Sequence, residues 1–103
     1  QLPPSKTSYA ENHYWVFGIV LNPGIGLTAK QVMDRLRDKG VGTRPFFYPM
    51  HLQPVLRDRS FFSNDRHLNA EHIAENGLYL PSGLALTRAE IISSAKALLD
   101  IVG

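Results

Sequence analysis

Apolar positions along this chain alternate between two periods, and each change of period predicts an element. Residues Tyr14-Trp15-Val16-Phe17-Gly18-Ile19-Val20-Leu21 form a nearly unbroken apolar and aromatic run, rich in β-formers and closed by Asn22-Pro23-Gly24, which predicts a strand. Because the run does not alternate with polar residues, the strand is expected to be covered on both faces. From Thr28 the period becomes helical. Thr28 and Gln31 make a capping box; Val32, Met33 and Leu36 form an apolar stripe, Lys30, Asp34, Arg35, Arg37 and Asp38 a wet side, and Gly40 a stop. A second strand is predicted at roughly Val41 to Phe47. The stretch from Leu52 to Asp65 has no clear period, after which Asn64 or Asp65 caps a second helix that runs to Asn76 and ends at Gly77. A short strand, Leu78 to Leu80, breaks at Pro81. Thr87 and Glu90 then repeat the capping box, and Ile91, Ile92, Ala95, Leu98, Leu99 and Val102 give a third helix an apolar face.

The order is therefore β-α-β-α-β-α, a small α/β domain of α+β type with a three-stranded sheet and helices packed on it. If the first helix is a right-handed crossover, the first two strands run parallel; strand order stays open. Residues 1–12 are polar, contain Pro3-Pro4-Ser5 and read as a linker or a cut end, leaving 13–103 as the domain. Composition narrows the classes. With 44% hydrophobic and 19% charged residues the chain is of ordinary globular type. Its net charge is only +2 and its basic residues are scattered, so neither nucleic acid nor a membrane is an expected partner. The absence of cysteine removes disulfide and thiolate chemistry and accords with a cytoplasmic protein.

Candidate chemistry concentrates between Gly40 and Pro54, the segment Gly40-Val41-Gly42-Thr43-Arg44-Pro45-Phe46-Phe47-Tyr48-Pro49-Met50-His51-Leu52-Gln53-Pro54. Three prolines fix φ and remove donors, so the segment after Thr43 is expected to be a stiff loop outside any sheet ladder. Arg44, Tyr48 and His51 offer that loop a planar cationic fork, a hydroxyl on a rigid ring and a group that titrates near neutrality. Facing one cleft, the three would bind a small anionic or polar ligand. The plain alternative is a surface ion pair at Arg44, packing by Tyr48 and a backbone hydrogen bond from His51. Other chemistries find less support. His67 and His72 are five apart, ~140° around a helix, with no cysteine or His-Glu-x-x-His partner, so no metal site is expected. Gly24-Ile25-Gly26 matches no phosphate-loop pattern, and Ser82, Ser93 and Ser94 have no base at a telling spacing. The lysines Lys6, Lys30, Lys39 and Lys96 lie in the linker or on polar helix faces. The apolar run, with Phe46, Phe47, Phe61 and Phe62, is expected to leave more apolar surface open than a monomer tolerates.

Three blocks together carry a family likeness: the strand Tyr14 to Leu21, the loop Gly42 to Pro54, and Gly77-Leu78-Tyr79-Leu80-Pro81-Ser82-Gly83 followed by Leu86-Thr87. In order and spacing they resemble the C-terminal small domain of PLP-dependent nucleotide-sugar aminotransferases of the DegT/StrS type, in particular the perosamine-synthetase-like branch. The resemblance covers the chain from about Tyr14 to its end. It implies the small domain of a fold-type-I PLP enzyme, homodimeric, with a large PLP-binding domain upstream. It also implies an enzyme that moves an amino group, usually from glutamate, to a keto nucleotide-deoxysugar. Dehydratase chemistry on the same scaffold stays open. The resemblance carries a substrate-side role onto Tyr48, Pro49 and His51, with Arg44 beside them. No residue here matches the family's Schiff-base lysine, so the chain alone is expected to be inactive, with no catalytic residue and no covalently held PLP. The competing expectation is a free-standing, non-catalytic module that holds a small molecule or a protein.

Overall fold

The computed structural model describes residues 1–62 and 65–103. Its elements are β1 (Phe17–Val20), α1 (Ala29–Asp38), β2 (Arg44–Pro45), α2 (Pro54–Arg57), α3 (Leu68–Asn76), β3 (Gly77–Leu80) and α4 (Arg88–Val102), with single 3-10 turns at Pro23–Ile25 and Met50–Leu52. The sheet order is β1-β3-β2, and β3 is antiparallel to both neighbours. The first two strands thus run the same way, as a crossover through α1 requires, and the third inserts between them.

Local signals explain the helices. At α1 the Gln31 N–H donates to Thr28 Oγ1 at 3.2 Å while the Thr28 N–H donates to Gln31 Oε1 at 2.9 Å. Its end is a Schellman turn in which Gly40, at φ +79°, lets the Val41 N–H reach the Leu36 carbonyl at 2.8 Å. The second box forms as well, with Thr87 N–H to Glu90 Oε2 at 2.8 Å. Val32 and Leu36 are fully buried against Ile19, Leu21, Leu78 and Ala97, and this cluster is the core between sheet and helices.

Several boundaries differ from expectation. The second strand shrinks to Arg44 and Pro45, which pair with Tyr79 and Leu78. Pro45 therefore does enter a ladder, because β2 is the sheet edge and needs hydrogen bonds on one side only. Helix α3 starts at Leu68 with His67 as its N-cap, two residues beyond the expected cap Asp65; the other expected cap, Asn64, lies outside the described residues. The apolar face expected for α4 is split. Leu98 and Val102 join Ala97 and Ile101 against the core, whereas Ile91 (54% exposed), Ile92, Ala95 and Leu99 (64% exposed) face outward. Ala97 lies ~160° round the helix from Ala95, so the side used by this small sheet is not the side richest in isoleucine and leucine.

The sheet's other face is closed by the loop. Alternation turns Phe17, Ile19, Leu78 and Leu80 toward the helices and Gly18, Gly77 and Tyr79 the other way. The Phe46 ring lies across that second face, 4.4 Å between centroids from Tyr79. Gly18 and Gly77 make room for it: a Cβ on Gly18 would sit 2.6 Å from Phe46 Cζ, and one on Gly77 would collide with both the Phe46 ring and the Ile73 carbonyl oxygen. Residues Leu2 to Pro4 edge the same face, and the Val20 N–H donates to the Gln1 carbonyl at 3.0 Å. The apolar strand is accordingly covered on both sides through its centre, while Tyr14 and Trp15 at its start stay exposed.

Gly77→Ala should destabilise the fold by at least ~2 kcal/mol, since a backbone oxygen cannot step aside, whereas Gly18→Ala meets only side-chain ring atoms, of Phe46 and Tyr79, and should cost about 1–2 kcal/mol. Urea melts of both variants check the order. Midpoints equal to that of the wild type would refute the notch.

Candidate functional site

The Pro-rich loop leaves β2 at Pro45, seats Phe46 on the glycine notch, and then turns outward. Phe47 and Tyr48 are both exposed, Tyr48 at 55%, although the Phe47 and Tyr79 rings keep a T-shaped contact with centroids 6.0 Å apart. Pro49, buried, starts the 3-10 turn Met50–Leu52 with φ −58° and ψ 134°. At the end of this stretch His51 is only 6% exposed, the one buried polar residue among those described. Its Nε2 lies 3.0 Å from Glu71 Oε1 on α3. The same oxygen accepts the His67 backbone N–H at 3.1 Å, and Glu71 Oε2 faces Arg66 Nη2 at 3.4 Å. The His67 ring stands edge-on to His51 with centroids 4.7 Å apart.

The three expected site residues are thus not side by side. Arg44, on the exposed edge strand, borders a cavity of about 540 Å³ together with Trp15, Thr43, Tyr79, Pro81 and Ser82. Trp15 is 80% exposed there, and the Ser82 hydroxyl donates to the Trp15 carbonyl at 3.3 Å. Tyr48 borders a separate groove of about 290 Å³ with Pro49, Leu52, Glu71, Ala74 and Glu75. His51 lies beneath the loop, bonded to Glu71, and lines neither space.

Sequence reading missed Glu71, Trp15 and His67. Glu71 carries the only weak signal: a carboxylate in the first turn of a helix, where orphaned N–H groups collect acceptors. Its carboxyl is held below the ordinary 4.5, first by the hydrogen bond with His51 and next by the His67 N–H, with Arg66 adding attraction.

No lysine of the chain suits an imine. Lys6, Lys30 and Lys39 are ion-paired at the surface with Glu11, Asp34 and Asp100 at 3.7, 2.7 and 3.1 Å, and Lys96 is exposed on α4. A Schiff-base lysine has to be buried beside the cofactor, and all four lie exposed at the surface. Among the described residues no three His, Cys, Asp or Glu side chains gather as a metal site, and no helix is long and apolar enough to cross a membrane.

The profile of the DegT/DnrJ/EryC1/StrS aminotransferase family matches residues 1–98. The chain belongs to this family. Its first twelve residues fall inside the match, together with the strand, loop and turn blocks. Among curated relatives, GDP-perosamine synthase of Caulobacter vibrioides is 33% identical over 78 residues, covering 76% of this chain and 20% of the relative. GDP-perosamine synthase of Escherichia coli O157:H7 is 29% identical over 79 residues, covering 77% of the chain and 20% of that protein. The chain therefore spans about a fifth of the length of the relatives it matches. The family is PLP-dependent in general, and the four surface lysines here do not fit its cofactor.

His51→Ala should lower stability by more than ~1 kcal/mol, because the residue is buried and bonded rather than placed at the surface. A urea melt decides; a change within ~0.5 kcal/mol would make His51 a surface-like residue after all. The pH dependence follows from Glu71. Its pKa is lowered on folding, so the stability linked to it is complete above about 4.5 and disappears as pH falls through the lower folded value. Glu71→Gln should flatten melting temperature against pH as pH falls below about 4.5. Asp34, held down mainly by Lys30, and Glu90, held down by Thr87, leave a residual slope. An unchanged curve would contradict this assignment.

Proposed function

We propose that this chain is the C-terminal small domain of a larger PLP-dependent aminotransferase that moves an amino group from glutamate to a keto nucleotide-deoxysugar of the perosamine kind. The observation that carries the proposal is the loop: inside a region that matches the family throughout, Phe47 and Tyr48 are turned away from the chain's own core. PLP, when bound to the rest of the enzyme, supplies the electron sink, and this chain supplies none of its covalent contact. What these residues contribute is recognition. Tyr48 presents a hydroxyl on a two-torsion ring at the mouth of its groove. Arg44 offers a fork to an anionic group such as a diphosphate, and Trp15 a flat face beside it. His51, in this reading, serves the substrate side by holding the loop rather than by touching the ligand.

The outward stripe Ile91, Ile92, Ala95 and Leu99, together with exposed Phe47, Met50 and Phe61, supports packing against an upstream domain and a second subunit. A cytoplasmic location belongs to the same proposal and accords with the cysteine-free sequence.

The test is the full-length protein carrying this segment, assayed with GDP-perosamine and 2-oxoglutarate in the reverse direction. Glutamate should form with PLP present, and Tyr48→Phe should lower kcat/KM by ~10-fold, about 1.4 kcal/mol, with an unchanged melting temperature. The 103-residue chain alone should give no activity and no specific lysine adduct after incubation with PLP and borohydride reduction. Loss of water from the sugar without amino transfer would replace this reading with the dehydratase one. A stoichiometric adduct on one lysine of the short chain would overturn the division of labour.

A further inference from the structure

The polar cluster around the buried His51 has a geometry that the ligand-binding reading does not use. Glu71 sits in the first turn of α3, and its carboxylate ties the entrance of its own helix to the 3-10 turn 20 residues away in sequence. Oε1 accepts from His51 on the 3-10 turn and from the His67 backbone at the helix entrance, while Oε2 faces Arg66. A carboxylate only accepts, so the His51 contact assigns the ring proton to Nε2. Both oxygens are therefore engaged within the protein. Tyr48 lies three residues before His51, and between them the buried Pro49 fixes φ, so the backbone has little freedom to absorb a shift of the turn. Glu71 also lies in the wall of the Tyr48 groove.

We infer that Glu71 is the positioning residue of the Tyr48 loop: through His51 it sets where the Tyr48 hydroxyl stands. The inference rests on the proposal that Tyr48 faces substrate. A bound geometry that slips by about 1 Å can cost up to ~100-fold in rate, so releasing the turn should register in catalysis even though Glu71 touches no reacting atom.

The experiment is a double-mutant cycle in the full-length holoenzyme, again with GDP-perosamine and 2-oxoglutarate, run well below the melting temperature of every variant. Glu71→Ala should lower kcat/KM by ~10-fold or more. Glu71→Gln, which keeps an acceptor for His51 and His67, should remain within about threefold of wild type. In a Tyr48→Ala background the further effect of Glu71→Ala should vanish. In parallel, amide exchange at residues 50–53 should quicken in Glu71→Ala while β1 and β3 keep their protection. Should Glu71→Ala not fold, His51→Leu, which keeps volume and removes the bond, takes its place in every arm.

Equal effects of Glu71→Ala in both backgrounds, or a loss below twofold, would overturn the inference, since a purely structural carboxylate would lower stability without coupling to Tyr48. If Tyr48→Ala alone leaves kinetics unchanged, the substrate-facing reading fails instead. The exchange arm then decides the positioning claim: faster exchange confined to 50–53 upholds it, and unchanged exchange sinks it.

Discussion

A phenylalanine ring resting on two glycines organises the functional half of this domain. Phe46 lies over Gly18 and Gly77 against Tyr79, and no β-carbon at either glycine position is compatible with that contact. The constraint reaches in both directions. Toward the core, it closes the face of the sheet that the helices do not cover. Toward the outside, it fixes the first residue of the Pro-rich loop, so that the chain leaves the sheet at a defined place and angle.

The loop is held a second time by the bond between His51 and Glu71. An anchor at each end with Pro49 between them leaves Phe47 and Tyr48 little choice but to project. Such an arrangement separates two demands that a binding loop must meet: the side chains that meet a ligand stay free of packing duties, while neighbours a few residues away carry them. The buried histidine belongs to the second group, a role that its residue type conceals, because a histidine in a polar loop suggests chemistry before it suggests anchoring.

Which features were legible in the sequence follows from how local their causes are. Thr28 with Gln31, Thr87 with Glu90, and Gly40 after Leu36 act within five residues, and the helices they bound form as read. The α/β order was equally plain except for the one-turn α2, which lies in the stretch without a clear period. Pairing of β3 between β1 and β2 has no local signature, and neither does the two-residue length of β2. The start of α3 at Leu68 depends on Glu71 reaching back to the His67 N–H, not on the capping residue nearest in sequence. At the site, the loop was visible from its prolines and aromatics. Its division was not, since the partner of His51 lies 20 residues away and the space beside Arg44 is walled by Trp15 and Ser82 from opposite parts of the chain. The outward stripe of α4 misled for a related reason: periodicity finds an apolar face but does not say which neighbour covers it.

The central claim is that the loop is rigid because it is tied at Phe46 and at His51, and backbone 15N relaxation of the 103-residue chain tests it most directly. Order parameters near 0.85 are typical of rigid backbone and values below about 0.6 of flexible segments. The account predicts that Phe46, Phe47, Tyr48 and Met50 through Gln53 match the values of β1 and β3 at about 0.85. Values below about 0.6 across this stretch, with a rigid sheet beside it, would contradict it.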